Sequence, residues 1–129
     1  KPLYDGDAFW IGTASADRRH VVDFYEHFTH TWKLLNSGKV AWTGRRLICI
    51  NEDSITPCAV QLSIDIPDTA PNGRAVVSVE FDARGNEDTF ESQWVMVDKN
   101  SKDCYPNYSS PFNVTIVVEN KTFKRSGGN

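Results

Sequence analysis

Three histidines carry the imidazole groups that acid–base catalysis or metal binding would need. His27 and His30 are three positions apart, a spacing that brings two side chains together on a helix but places them on opposite faces of a strand. His20 has no cysteine or carboxylate partner at a familiar metal-ligand spacing. The sequence therefore predicts histidines at the surface or at the edge of a pocket, and no metal site.

Three cysteines, an odd number, are the second set of reactive side chains. Cys49 lies in an apolar stretch and is expected to be a small buried hydrophobe. Cys58 and Cys104 are then the two thiols that a disulfide could join. The chain also carries three N-glycosylation sequons, which begin at Asn107, Asn113 and Asn120. The odd cysteine count favours a cytoplasmic protein with three reduced thiols, and the sequons favour the alternative, an extracellular location.

The other familiar catalytic signatures are missing from the sequence. Asp5-Gly6-Asp7 resembles the opening of a calcium loop, but no glutamate closes it at the twelfth position. No Gly-x-Ser-x-Gly, Walker or Cys-x-x-Cys motif occurs. We therefore expect a protein that is not an enzyme and that uses no cofactor or metal ion.

Length and composition describe one globular domain. The chain has 129 residues, of which 40% are hydrophobic and 24% are charged, ordinary values for a domain with its own core. The formal net charge of -3 and the isolated pairs Arg18-Arg19 and Arg45-Arg46 argue against direct nucleic-acid binding. No apolar run approaches the ~20 residues of a membrane span. Because the first residue is Lys1 rather than an initiator methionine, we interpret the chain as one domain of a longer protein.

The elements that must position these side chains are organised around residues 28–42. Four residues alternate with more polar ones in the first half of this stretch: Phe28, His30, Trp32 and Leu34. A period of two with aromatic enrichment is typical of a half-buried strand. The segment Asn36-Ser37-Gly38 tolerates positive φ and predicts the turn that ends the strand. Trp42 is then expected to fold back over the face that Trp32 occupies.

About seven short strands are predicted in all, with turn signals between them and no convincing helix. Beyond the central stretch they fall at 8–11, 21–24, 46–50, 59–66, 76–81, 90–97 and 112–118. The pattern predicts an all-β chain, an immunoglobulin-like antiparallel β-sandwich over residues 8–120. Residues 1–7 are expected to be a linker or lead-in segment, and residues 121–129 a C-terminal tail.

The clearest alternation outside the centre lies in residues 59–66. The expected core-facing set there is Val60, Leu62, Ile64 and Ile66. Trp32, Trp42 and Trp94 lie on predicted strands and are expected to be core residues. The alternative is a platform of exposed rings that stacks on sugars.

Two regions are candidates for binding a partner. The longest loop runs from Lys99 to Pro111, and its central Tyr105 and Tyr108 are expected to be exposed. The alternative is that both rings cover the open end of the core. Trp10, on a predicted edge strand, is the other candidate anchor.

The spacing of the aromatic residues resembles the four-tryptophan (FW) domain, the immunoglobulin-like domain of the Next-to-BRCA-one autophagy receptors, and is similar to bacterial members of that family. The shared positions are Phe28, Trp32, Asn36, Gly38, Trp42 and Trp94. Trp32, Trp42 and Trp94 correspond to the first three signature tryptophans. The last one falls near Phe112 or Asn113, where this sequence has none.

The resemblance implies a non-catalytic module of a larger protein that binds a protein partner, as the family does when it engages cargo. The identity of that partner is not contained in the sequence. The alternative is an exported adhesion or carbohydrate-binding β-sandwich, which the sequons and the aromatic loop favour.

Overall fold

The computed structural model describes residues 1–12 and 18–121, and these residues form an all-β structure. The strands are β1 Phe9–Ile11, β2 Arg19–Asp23, β3 His27–Asn36, β4 Arg46–Cys49, β5 Cys58–Ala59, β6 Ser63–Asp65, β7 Arg74–Asp82, β8 Asp88–Ser92, β9 Trp94–Val97 and β10 Val114–Glu119. A short 3-10 helix, Glu52–Ser54, follows β4. Within the described residues there is no helix long and apolar enough to cross a membrane.

The strands form two layers, as the immunoglobulin-like prediction requires. One layer is a four-stranded antiparallel sheet in the order β1-β3-β7-β5. The other contains two three-stranded sheets, β2-β10-β8 and β6-β4-β9. Because only Gln93 separates β8 from β9, a single stretch of chain joins these two sheets. The predicted immunoglobulin-like β-sandwich is confirmed, and its pairs are antiparallel as predicted except that β2 runs parallel to β10.

The core is built on the pairing of β3 with β7. The alternation predicted for β3 holds, because His30, Trp32 and Leu34 are buried while Lys33 is exposed. Trp32 is paired with Val77, and the rings of Phe28 and Phe81 stack with their centroids 5.2 Å apart. A face of this kind supplies the apolar burial that stabilises a sandwich.

Both central tryptophans are buried, but their neighbours differ from the prediction. The ring of Trp32 packs edge-on against that of Trp94 across the sandwich, at 5.3 Å, and its Nε1 donates to the carbonyl of Phe112 at 3.1 Å. Trp42 instead donates from its Nε1 to Asp7. The two indoles therefore contact different residues of the core.

Asn36 and Gly38 fix the turn after β3, but not by adopting positive φ. The buried side-chain amide of Asn36 donates to the carbonyls of Val40 and Thr69, at 2.8 and 3.1 Å. Gly38 is not among the residues with positive φ. A Cβ at this position would lie 2.5 Å from the backbone nitrogen of Ala8, so Gly38 is required by close approach of the lead-in segment.

The predicted strand 59–66 is wrong in its middle. The chain forms β5 at one edge of the four-stranded sheet and β6 at the edge of the opposite layer. Residues 60–62 carry the chain from one layer to the other. Val60 is 62% exposed, and Leu62 is also exposed, while Ile66 is buried as expected. This division and that between β8 and β9 each add a strand, and the described residues form ten strands where about seven were predicted.

Residues 1–7 pack on the sandwich, which corrects their interpretation as a linker. The backbone N–H of Leu3 donates to the carbonyl of Cys104 at 2.9 Å. Asp7 is buried in the structure. Of the predicted tail, residues 122–129 lie outside the described residues.

Candidate functional site

A buried carboxylate, Asp7, gathers polar side chains near the start of the chain. Its Oδ1 accepts hydrogen bonds from the Trp42 Nε1, at 3.2 Å, and from the Tyr105 hydroxyl, at 2.8 Å. Its Oδ2 makes no hydrogen bond but lies 2.7 Å from Nη1 of Arg45, with which it forms an ion pair. The Arg45 guanidinium also faces the rings of Tyr4 and Trp42, at 5.5 and 6.0 Å from their centroids. This cluster fastens the lead-in segment to the sandwich.

The Asp7–Arg45 pair carries no sign of catalysis. Every polar contact of Asp7 is directed at a residue of the same core, and a buried charge needs such partners to offset its desolvation. The sequence analysis missed the pair because Asp5-Gly6-Asp7 resembled only an incomplete calcium loop and Arg45 belonged to no motif. The one available signal was an arginine three residues after a predicted core tryptophan.

Tyr105 belongs to the same cluster, so the expectation that it is exposed is wrong. Its side chain is 3% exposed, and its ring lies 4.5 Å from that of Phe9. Burial, together with the hydrogen bond to Asp7, raises the pKa of the Tyr105 hydroxyl above its ordinary value. The ring covers the end of the core, which was the alternative interpretation of this loop.

The histidines divide into one exposed residue and one cross-layer pair. His27 is exposed, and its Nδ1 lies 2.8 Å from Oε2 of Glu80, a hydrogen bond that raises the pKa of His27. His20 Nε2 and His30 Nδ1 lie 2.9 Å apart, one histidine from each layer. His30 is 1% exposed, which corrects the prediction of a surface or pocket-edge histidine. Burial, helped by His20 and Arg18, lowers the pKa of His30 to about 4.

The His20–His30 pair lacks the groups that would make it a catalytic or metal site. His30 Nε2 is buried with no hydrogen-bond partner, so no carboxylate orients the ring as in a catalytic triad. Over the described residues, no group of three or more His, Cys, Asp or Glu side chains could hold a metal ion. The pair is therefore a structural contact between the two layers.

The three cysteines are free thiols, and Cys58 is not bonded to Cys104. Cys104 is buried beside the Asp7 cluster, and burial raises its pKa to about 12. A thiol with so high a pKa is a poor nucleophile. Cys49, expected to be buried, is only partly so.

The tryptophans of the signature do not form a sugar-binding platform. Trp32, Trp42 and Trp94 are all fully buried, which confirms their interpretation as core residues. An open groove of about 760 Å³ lies elsewhere, over the outer side of β10. Its lining is Arg18, Arg19, Glu91, Gln93, Ser109, Ser110, Asn113 and Thr115, with no aromatic side chain among them.

Asn113 is also not available as a glycan acceptor in the folded domain. Its side chain is buried, and its Oδ1 accepts the backbone N–H of Trp94 at 3.3 Å. Asn107, by contrast, is exposed in the loop that follows Tyr105.

The exposed candidates for partner binding meet at β1. Trp10 lies on this edge strand and is 69% exposed, with its side chain on the outer face of the sheet. Tyr108 is also exposed, and its ring lies 5.8 Å from that of Phe9, the preceding residue on β1. The structure therefore places Trp10 and Tyr108 at one edge of the sandwich, while Tyr105 lies beneath it.

The outer face beside Trp10 carries further apolar surface. Leu35 is paired with Trp10, and Arg74 is paired with Leu35. In the adjacent row Lys33 is paired with Val76, whose side chain is well exposed. We call Trp10, Leu35 and Val76 the outer patch. Two cationic side chains, those of Lys33 and Arg74, flank it.

Comparison with known proteins identifies a family. A family model described as the Ig-like domain from next to BRCA1 gene matches residues 16–118. No curated protein sequence matches the chain. The matched range runs from before β2 almost to the end of β10, so β1 and the buried Asp7 precede it.

Proposed function

Because the chain belongs to the family of Ig-like domains from next to BRCA1 gene, we propose that it is a non-catalytic module that binds another protein. The single observation that carries this proposal is the 69% exposure of Trp10 on an edge strand. A tryptophan is costly to leave in water, and tryptophan and tyrosine are enriched at the centres of protein interfaces. The partner is sought in the cytosol, where we propose that the domain acts.

Three features of the described residues support a binding role over a catalytic one. The histidine pair lacks an orienting carboxylate, the buried thiol is protonated at neutral pH, and the buried ion pair is enclosed by its own core. None of them places a nucleophile beside a base in an open cavity, as catalysis would require. Apolar surface with a cationic rim is what remains for recognition.

An exported carbohydrate-binding domain has less support. The signature residues Trp32, Trp42 and Trp94 are buried, and the open groove over β10 is lined by polar side chains. The exposed Asn107 sequon is the feature that still favours export. Occupancy of Asn107 by a glycan in protein purified from its source would support this alternative.

The test is affinity capture from cytosolic extract of the source cell with wild-type protein and two variants. Trp10→Ala removes the proposed anchor. Val60→Ala is the matched control, because Val60 is 62% exposed beside the opposite edge of the same sheet. We expect a defined protein to be captured by wild type and by Val60→Ala, and to be lost by about tenfold or more with Trp10→Ala. Equal capture by all three proteins would remove the Trp10 surface from consideration.

A further inference from the structure

β1 is an edge strand, with no described strand paired on its outer side. Gly12 donates its N–H to the carbonyl of Lys33 at 2.7 Å, and Trp10 is paired with Leu35 two residues earlier in the same register. Because hydrogen-bonded and non-bonded pairs alternate in an antiparallel ladder, the N–H and C=O groups of Phe9 and Ile11 point away from β3. Among the described residues, β3 is the one strand paired with β1, so these groups face the unpaired side of the sheet.

Three other edge strands, β5, β6 and β2, carry features that discourage strand pairing. β5 is two residues long and follows Pro57. β6 ends at Asp65 and is followed by Pro67. β2 begins with a charged residue and ends with another. Short strands, prolines and charges are the usual protection of sheet edges, and β1, with the sequence Phe-Trp-Ile, has neither a charge nor a proline.

The side chains around β1 specify what could lie beside it. The outer patch offers apolar contact at the level of Trp10. Gly12 has no side chain, so Lys33 in the same row is open toward the free edge. Unpaired backbone groups select an extended polypeptide, and Lys33 selects a carboxylate on it.

We propose that β1 is a docking strand, to which an extended segment of the partner protein adds as a fifth strand of the sheet. The segment carries an apolar side chain level with Trp10 and an acidic side chain level with Gly12. This inference rests on the proposed function and specifies how the partner is held. A second copy of the chain is a poor occupant, because its own β1, with the sequence Phe-Trp-Ile, carries no carboxylate to meet Lys33.

The first test needs no partner. Amide hydrogen exchange of the free protein, followed by NMR, should show rapid exchange at Phe9 and Ile11 and slower exchange, by about tenfold or more, at Trp10 and Gly12. This alternation is the signature of one bonded and one free edge. Protection of Ile11 equal to that of Gly12 would mean that the edge is already occupied, and would overturn the proposal.

The second test uses Ile11→Pro and its matched control Ile11→Ala in the capture experiment. Both variants lose the packing of the partly buried Ile11 side chain, but only proline removes the outward N–H. We expect Ile11→Ala to retain capture and Ile11→Pro to lose it by about tenfold or more. Equal capture by the two variants, whether high or low, would contradict strand addition.

A synthetic probe keeps the test open if Ile11→Pro fails to fold. The probe is the capped peptide Thr-Val-Thr-Glu-Thr-Val, whose valines and glutamate lie two residues apart and therefore on one face, compared with a copy whose alternate amides are N-methylated. The unmodified peptide should shift the NMR signals of Phe9 and Ile11 saturably, and the methylated copy should not. No shift with the first peptide, or equal shifts with both, would overturn the proposal.

The outcomes separate this inference from the proposed function. Capture that depends on Trp10 but is the same for Ile11→Pro and Ile11→Ala would leave the binding module in place and remove strand addition. Capture that depends on neither Trp10 nor the Ile11 amide would remove both.

Discussion

His20 and His30 meet across the two layers of the sandwich, with 2.9 Å between Nε2 of the first and Nδ1 of the second. A hydrogen bond at this distance needs one ring to donate and the other to accept. Protonation of either ring would turn the acceptor into a donor or add a charge beside Arg18. The fold therefore holds the pair neutral, and burial lowers the pKa of both histidines.

Because of the His20–His30 pair, we expect the free energy of unfolding to decrease in mild acid. The pKa of His30 in the folded state is about 4, below the ordinary value of 6.5, so the unfolded chain binds the proton first. The contribution of His30 to the free energy of unfolding is therefore complete above pH ~6.5 and is lost progressively down to pH ~4. The total loss from this group is no more than about 3 kcal/mol. Urea unfolding at intermediate pH values measures it.

The control for this prediction is His30→Gln, which keeps a polar side chain but cannot titrate. The carboxylates that also titrate in acid are the same in both proteins. The wild type should lose more stability than the variant between pH 6.5 and pH 4.5. Identical pH dependence of the two would show that His30 is not held neutral.

Trp32 is predicted to be the most costly single truncation in the core. Trp32→Ala removes the contact with Trp94 and the hydrogen bond to Phe112, and should lower the free energy of unfolding by about 3–5 kcal/mol. The exposed Trp10→Ala is the control and should change it by less than about 0.5 kcal/mol. Chemical denaturation measures both. A loss below about 1 kcal/mol for Trp32→Ala would place this indole at the surface.

Asp7 is predicted to matter for folding although it lies in the apparent lead-in segment. Asp7→Ala leaves the Arg45 guanidinium buried without its counter-charge, which should cost about 3–5 kcal/mol. Asp5→Ala, two residues away and exposed, should be close to neutral. Thermal or urea unfolding compares the two. Equal, small effects would mean that residues 1–7 are a linker after all.

The thiols give a prediction about reactivity. Iodoacetamide under denaturing conditions without reductant should modify all three cysteines, since each is a free thiol. In the native protein at pH 8, Cys104 should react most slowly, because it is buried and its pKa is about 12. Mass spectrometry locates the adducts. A Cys58 and Cys104 that resist alkylation together in the denatured protein would indicate a disulfide.

Local patterns predicted the parts of the fold in which one strand faces one core. The alternation of β3 and β7 identified the residues that are buried, and the aromatic spacing identified the family that the match over residues 16–118 shows. The alternation in residues 60–62 did not predict burial, because the chain changes layers there. A change of layer depends on the order of the strands, which a two-residue period does not report.

The candidate site was predictable only in part, for a similar reason. Trp10 could be assigned to an exposed edge from its own short strand. Tyr105 could not be assigned correctly, because its burial depends on Asp7, which is 98 positions away in the sequence. The His20–His30 contact likewise joins two strands that no local pattern assigns to opposite layers.

The central claim is that the domain binds a protein through the surface around Trp10, and site-specific photocrosslinking in the source cell tests it most directly. A benzoylphenylalanine is placed at position 10 in one protein and, as a control, at the equally exposed position 60 in another. The account predicts a defined crosslinked protein from position 10 that is missing from position 60. No crosslink at position 10, or the same products from both positions, would contradict it.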